Sequence, residues 1–88
     1  MSHHIQFFVL HVGSRQTIGP DALRVMWATA CESMDISVAR LVHGANGDSS
    51  ISYSLYTHPS ADRKHAESRM RSLLEKSGYL FTLRSVTH

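Results

Sequence analysis

The octet Ile5-Gln6-Phe7-Phe8-Val9-Leu10-His11-Val12 constrains this chain more than any other stretch. Side chains of a β-strand alternate between faces, so it divides into Ile5, Phe7, Val9 and His11 on one side and Gln6, Phe8, Leu10 and Val12 on the other. Neither set is polar. A strand with one wet face alternates cleanly, whereas a strand covered on both faces reads as a nearly continuous apolar run. Whichever set meets the protein's own helices, the other is expected to send one phenylalanine, Phe7 or Phe8, outward with an aliphatic neighbour.

The rest of the chain supplies the partners of this strand. After the connection Gly13 to Gly19, Pro20 is preset for a first helical turn and Asp21 suits the positive end of a helix. Leu23, Met26, Trp27, Ala30, Cys31 and Met34 then recur at the spacing of one helical face. Two β-rich runs, Ile36 to His43 and Ser50 to His58, flank Asn46-Gly47, a strong short-range hairpin signal. A two-residue loop there sets Val42 opposite Ile51, Arg40 opposite Tyr53 and Val38 opposite Leu55, placing Ile36, Val38, Val42, Ile51, Tyr53 and Leu55 on the core face. Pro59-Ser60 opens a second, basic helix with Ser60 as its cap, Ala66, Met70, Leu73 and Leu74 form its apolar stripe, and Gly78 closes it. Tyr79 to Thr87 is the last strand.

Strand, helix, strand, strand, helix, strand is the α+β, ferredoxin-like βαββαβ order. It predicts a single domain over residues 1–88, a four-stranded antiparallel sheet with the first and third strands at its centre, and two helices on one face. The other face has no internal cover. The residues expected there are Leu41, Ser52, Ser54, Tyr56, one of Phe7 and Phe8, and either Thr82 with Arg84 or Phe81 with Leu83.

Composition narrows the function classes. The 88 residues suffice for one small core, with 42 % apolar and 18 % charged residues, as in ordinary globular proteins. Nine basic and seven acidic groups leave a formal charge of only +2, a weak field for nucleic acid or a membrane surface. The lone Cys31 excludes an internal disulfide framework, which favours a reducing, cytoplasmic setting. No apolar run approaches the ~20 residues of a membrane span, so no membrane partner is expected.

Candidate chemistry is sparse. Seven histidines invite a metal, but with the first and third strands taken as parallel only His11 and His58 share an end of the sheet, with His43 at the other, and zinc takes three or four protein ligands. Cys31, on the apolar stripe, reads as a small hydrophobe. The loop Gly13 to Thr17, with Arg15, lies before a helix N-terminus but lacks a phosphate-binding pattern and reads as a connector. No catalytic residue, cofactor site or metal site is assigned. RNA-recognition domains share the chain order and stack bases on aromatics of the first and third strands, yet Ser50 to His58 lacks their basic-glycine-aromatic pattern.

The expected function is therefore a non-catalytic interaction or regulatory protein, of adaptor or inhibitor type. It would self-associate as a homodimer or bind a protein partner through Phe7, Phe8, Leu41, Ser52, Ser54, Tyr56 and Arg84 on the uncovered sheet face. Burying ~600 Å² of apolar surface there offers on the order of 15 kcal/mol before ordering costs. The alternatives are single-stranded RNA binding across the same face, and a small ligand-binding or catalytic dimer using His11 or His58.

Overall fold

A computed structural model describes residues 4–13, 16–45 and 48–86, and at residues 43–45 and 48–50 the backbone alone. The elements are β1 (Ile5–Val12), α1 (Pro20–Cys31), β2 (Ile36–Ala45), β3 (Asp48–Thr57), α2 (Arg63–Lys76) and β4 (Phe81–Ser85). The strands form one sheet in the order β2-β3-β1-β4, every neighbouring pair antiparallel. This is the ferredoxin-like arrangement. Because β1 and β3 run in opposite directions, His11 and His58 lie at opposite ends of the sheet, which corrects the expectation that they meet.

The hairpin has the register that alternation and Asn46-Gly47 imply: Val42 pairs with Ile51, Arg40 with Tyr53 and Val38 with Leu55. Its closing pair is Ala45 with Asp48; Asn46 and Gly47 themselves lie outside the described residues. Helices α1 and α2 cover one side. Leu23, Trp27 and Ala30 from α1 and Ala66, Met70 and Leu74 from α2 enclose Phe8, Leu10, Tyr53, Leu55 and Leu83 of the sheet. Val42 shares this side by register but is 62 % exposed, so the helix layer stops short of the hairpin's turn end.

The largest departure from strict alternation is in β1. Gln6 pairs with Tyr56 and Phe8 with the next residue, Leu55, so Phe7 is an extra residue, a β-bulge. A bulge turns two consecutive side chains to the same side. Phe7 and Phe8 are accordingly 2 % and 0 % exposed, their rings edge to face at 6.1 Å. The ring of Phe8 meets Trp27 edge-on at 5.7 Å, and that of Phe7 lies under the Arg63 guanidinium at 4.5 Å. Both phenylalanines therefore belong to the core, which overturns the expectation that one of them joins the open face.

Helix ends follow local chemistry with two corrections. Pro20 takes the first helical position after Gly19, as its fixed φ favours. Helix α1 stops at Cys31 because Glu32 adopts the left-handed conformation (φ 55°) and Ser33 N–H returns to the Ala28 carbonyl, so Met34 leaves the stripe for solvent. In α2 the cap is Asp62, whose carboxylate accepts from His65 N–H at 3.1 Å; Ser60 instead engages His58 in the preceding turn. Gly78, at φ 82°, ends α2 where a left-handed residue is wanted. The connection after β1 is held by Gln16, whose side-chain oxygen accepts from Leu80 N–H at 2.9 Å; Ser14 and Arg15 lie outside the described residues.

Candidate protein-interaction face

The open side of the sheet is ordered in ranks set by the strand register. Leu41, Ser52, His11 and Thr82 form one rank from β2 to β4, and Ala39, Ser54, Val9 and Arg84 form the next. Beyond them Ser37, Tyr56 and Gln6 make a third. Between the second and third ranks β1 advances three residues, from Val9 to Gln6, where the other strands advance two. The bulge thus keeps Gln6 on the open face while Phe7 turns inward.

Central strand β3 contributes a floor of small hydroxyls. Ser52 and Ser54 are only 2 % and 3 % exposed although no helix covers them; Ser52 lies between Leu41 and His11, and Ser54 between Ala39 and Val9 under the Gln6 side chain. The Gln6 amide donates to the Ser54 hydroxyl at 3.0 Å, which satisfies a polar group that burial would otherwise penalise. Leu41, 47 % exposed, is the most prominent apolar group of the face. Val9 and Tyr56 are half-buried, Ala39 is exposed, and Arg84 is the one permanent charge in the three ranks. Of the residues the sequence singled out, Leu41, Ser52, Ser54, Tyr56 and Arg84 share this face; Phe7 and Phe8 do not. Gln6, Val9, His11, Ser37, Ala39 and Thr82 complete it.

A polar chain staples one margin of the face. The His4 ring contacts the Asp35 carboxylate through Nε2 at 2.7 Å and the Ser37 hydroxyl through Nδ1 at 3.1 Å. Serine, histidine and aspartate in series resemble the wiring of an activated nucleophile. A working site also needs donors aimed at a developing oxyanion. Ser37 lies within β2, and the contact ties the start of β1 to the start of β2. Its spacing of 31 to 33 residues gave no sequence motif.

Cys31 sits at the end of α1 beside Thr57. Burial pushes its thiol from 9.0 up to about 11, against a smaller lowering influence of the Thr57 hydrogen bond. Since the thiolate is the nucleophile, this change leaves about a hundredfold less thiolate at pH 8 than a cysteine of the ordinary value. Alkylation by iodoacetamide at pH 8 is expected to be slower by about that factor than in the denatured protein. Equal rates would show the thiol to be open to solvent. Among the described residues no group of three metal-binding side chains converges. No described helix is long and apolar enough to cross a membrane.

The basic side of α2 is largely engaged within the protein. Arg69 pairs with Glu32 at 2.8 Å, Arg71 donates to Glu67 and to the Leu83 carbonyl, and Arg63 lies over Phe7. Comparison of the chain with protein-family models, curated proteins and solved structures returns no match.

Proposed function

We propose that this is a non-catalytic interaction protein whose open sheet face packs against the same face of a second copy. The observation that supports this reading is the make-up of the three ranks: Val9, Ala39, Leu41 and Tyr56 surround a floor of small serines, with a single arginine and no carboxylate. Leu41, Val9, Ala39 and Tyr56 stand above the buried serines and are the groups that an opposing sheet would meet. One patch on each copy, related by a twofold axis, is the commonest way to close such a pair.

The inward turn of both phenylalanines weakens the contact in a way that can be sized. A ring contributes ~150 to 250 Å² of burial, so the apolar area left is nearer ~400 Å², worth on the order of 10 kcal/mol gross. Association costs ~4 to 15 kcal/mol in lost freedom. The balance is a reversible, concentration-dependent dimer. Sedimentation velocity across a dilution series is expected to show monomer and dimer in exchange. Leu41→Glu should shift the midpoint at least tenfold toward monomer, while thermal stability changes by no more than ~0.5 kcal/mol because Leu41 has no helix above it. A wild-type protein that stays monomeric at every concentration would end this reading.

A further inference from the structure

We infer that the groove between α1 and the free edge of β2 receives an extended peptide strand from a different protein, with apolar side chains at alternate positions and a carboxylate beside Arg24 and Arg40. This surface lies on the helix side and the edge of the sheet, so the inference does not rest on the open-face dimer.

Edge strand β2 is the template. A two-residue hairpin closes on a hydrogen-bonded pair, here Ala45 with Asp48, and such pairs then alternate along the ladder. Ser37, Ala39 and Leu41 accordingly direct their amides and carbonyls to β3. Ile36, Val38, Arg40 and Val42 direct theirs outward. Ile36 N–H is taken by the Met34 carbonyl at 2.9 Å, which agrees with this phase and leaves the row from Val38 to Val42 facing away from the sheet. The row between Ile36 and Val42 holds no proline, and its single charge is Arg40.

Helix α1 supplies the opposite wall. A cavity of about 550 Å³ is lined by Arg24, Val25, Ala28, Met34 and Ile36, and a second of about 330 Å³ by Pro20, Leu23, Arg24, Val38, Arg40 and Tyr53. Arg24 lines both, so they are consecutive compartments of one groove. Val25 and Met34 are 66 % and 88 % exposed, apolar groups with nothing above them. Along β2 the compartments fall at Ile36 and at Val38 to Arg40, two to four residues apart or ~7 to 13 Å. Side chains on one face of an added strand repeat every ~7 Å, so alternate residues of one peptide reach both compartments while its backbone pairs with the edge.

Charge selects the occupant. Arg24 and Arg40 are exposed and have no ion-pair partner among the described residues, whereas Glu32 in the same groove is engaged by Arg69. A carboxylate at the junction of the compartments completes them. A second copy does not offer one: β1, β2 and β4 contain no aspartate or glutamate, and β2 against β2 brings arginines together. The occupant is therefore an acidic and apolar strand of another polypeptide.

The test is selection of a displayed library of random decapeptides on the whole protein, followed by amide shift mapping of the strongest synthetic binder. Expected are sequences with apolar residues at alternate positions and an aspartate or glutamate among them, shifts at Val25, Ala28, Val38 and Arg40, and at least tenfold weaker binding to Arg24→Glu and Arg40→Glu. A proline at the centre of the peptide should weaken binding as much, by removing a ladder donor. No enrichment, enrichment without acidic residues, or shifts centred on Leu41, Ser52 and Val9 would each overturn the proposal. Concentration-dependent exchange protection of the Val38 and Arg40 amides without peptide would overturn it in favour of a second copy. Both arginines are exposed, so folding is expected to survive their replacement, and shift mapping on the unaltered protein locates the peptide without them.

Discussion

Phe8→Ala is expected to cost ~3 to 5 kcal/mol, the range for truncating a fully buried aromatic. The ring has 0 % exposure and packs edge-on against both Trp27 and Phe7, so its loss leaves a hole lined by rigid aromatics that relax poorly. A domain of this size has a total stability of ~4 to 13 kcal/mol, so the variant sits near the edge of folding. The midpoint of thermal unfolding, followed by circular dichroism, should drop by roughly 12 to 40 °C, on the scaling of about 4 to 8 °C per kcal/mol for small domains. Phe7→Ala should also be clearly destabilising. The pair is diagnostic, because an unbulged strand would leave one of the two rings on the open face, where truncation costs less than ~1 kcal/mol. One silent alanine variant would therefore refute the bulge.

Arg63→Ala is the second large effect, expected at ~2 to 3 kcal/mol. The two N–H groups of its Nη1 are shared among three acceptors, the Phe7 carbonyl at 2.9 Å, the Val86 carbonyl at 2.7 Å and the Ser85 hydroxyl at 3.1 Å, with the guanidinium over the Phe7 ring. Hydrogen bonds to a charged group contribute ~1.5 to 3 kcal/mol each and a stacked cation ~0.5 to 2. The side chain is only half-buried, so the sum is taken low. Arg63→Lys should recover less than half of the loss, since a point charge cannot serve the carbonyls and the ring in one geometry. Loss should concentrate where the contacts are. Hydrogen exchange at Val86, whose amide is held by the Phe7 carbonyl at 2.8 Å, is expected to accelerate more than exchange at Leu10. An Arg63→Ala protein that melts with the wild type would show the clamp to be inert.

Much of the architecture is legible in the sequence because it depends on local signals. Asn46-Gly47 fixes the hairpin register to the residue, and Pro20 and Gly78 mark a helix start and a helix stop that local backbone preference enforces. Two features escape because they lack such signals, and a third, the direction of β3 against β1, can be read from the fold order itself. Glu32 ends α1 in a conformation usually left to glycine, at a cost of ~1 to 2 kcal/mol, so the periodicity runs on to Met34 with no visible stop. Asp62 caps α2 only once the chain has turned through His58 and Ser60, whose mutual contact occupies the nearer candidate. The opposite directions of β1 and β3 follow from the fold order, and only strands taken as parallel set His11 beside His58.

The open face is legible in part for the same reason. On β2 and β3, alternation runs unbroken from the turn, so Leu41, Ser52, Ser54 and Tyr56 fall where the pattern puts them. On β1 a count of two fails at Phe7. The His4, Asp35 and Ser37 contact and the clamp of Arg63 span more than 20 residues each and arise only when the sheet has assembled.

Removing Phe7 from the written sequence shows what the bulge means. Ile5, Phe8, Leu10 and Val12 then alternate without exception with Gln6, Val9 and His11, inward against outward, and the ladder to β3 has no gap. Phe7 is thus a spliced-in residue within an otherwise regular strand, and its own carbonyl and ring are the anchorage for Arg63 and Val86. Shortening the chain by that one residue would perfect the strand and cast off Val86, so regularity here is given up in exchange for a mooring just past β4.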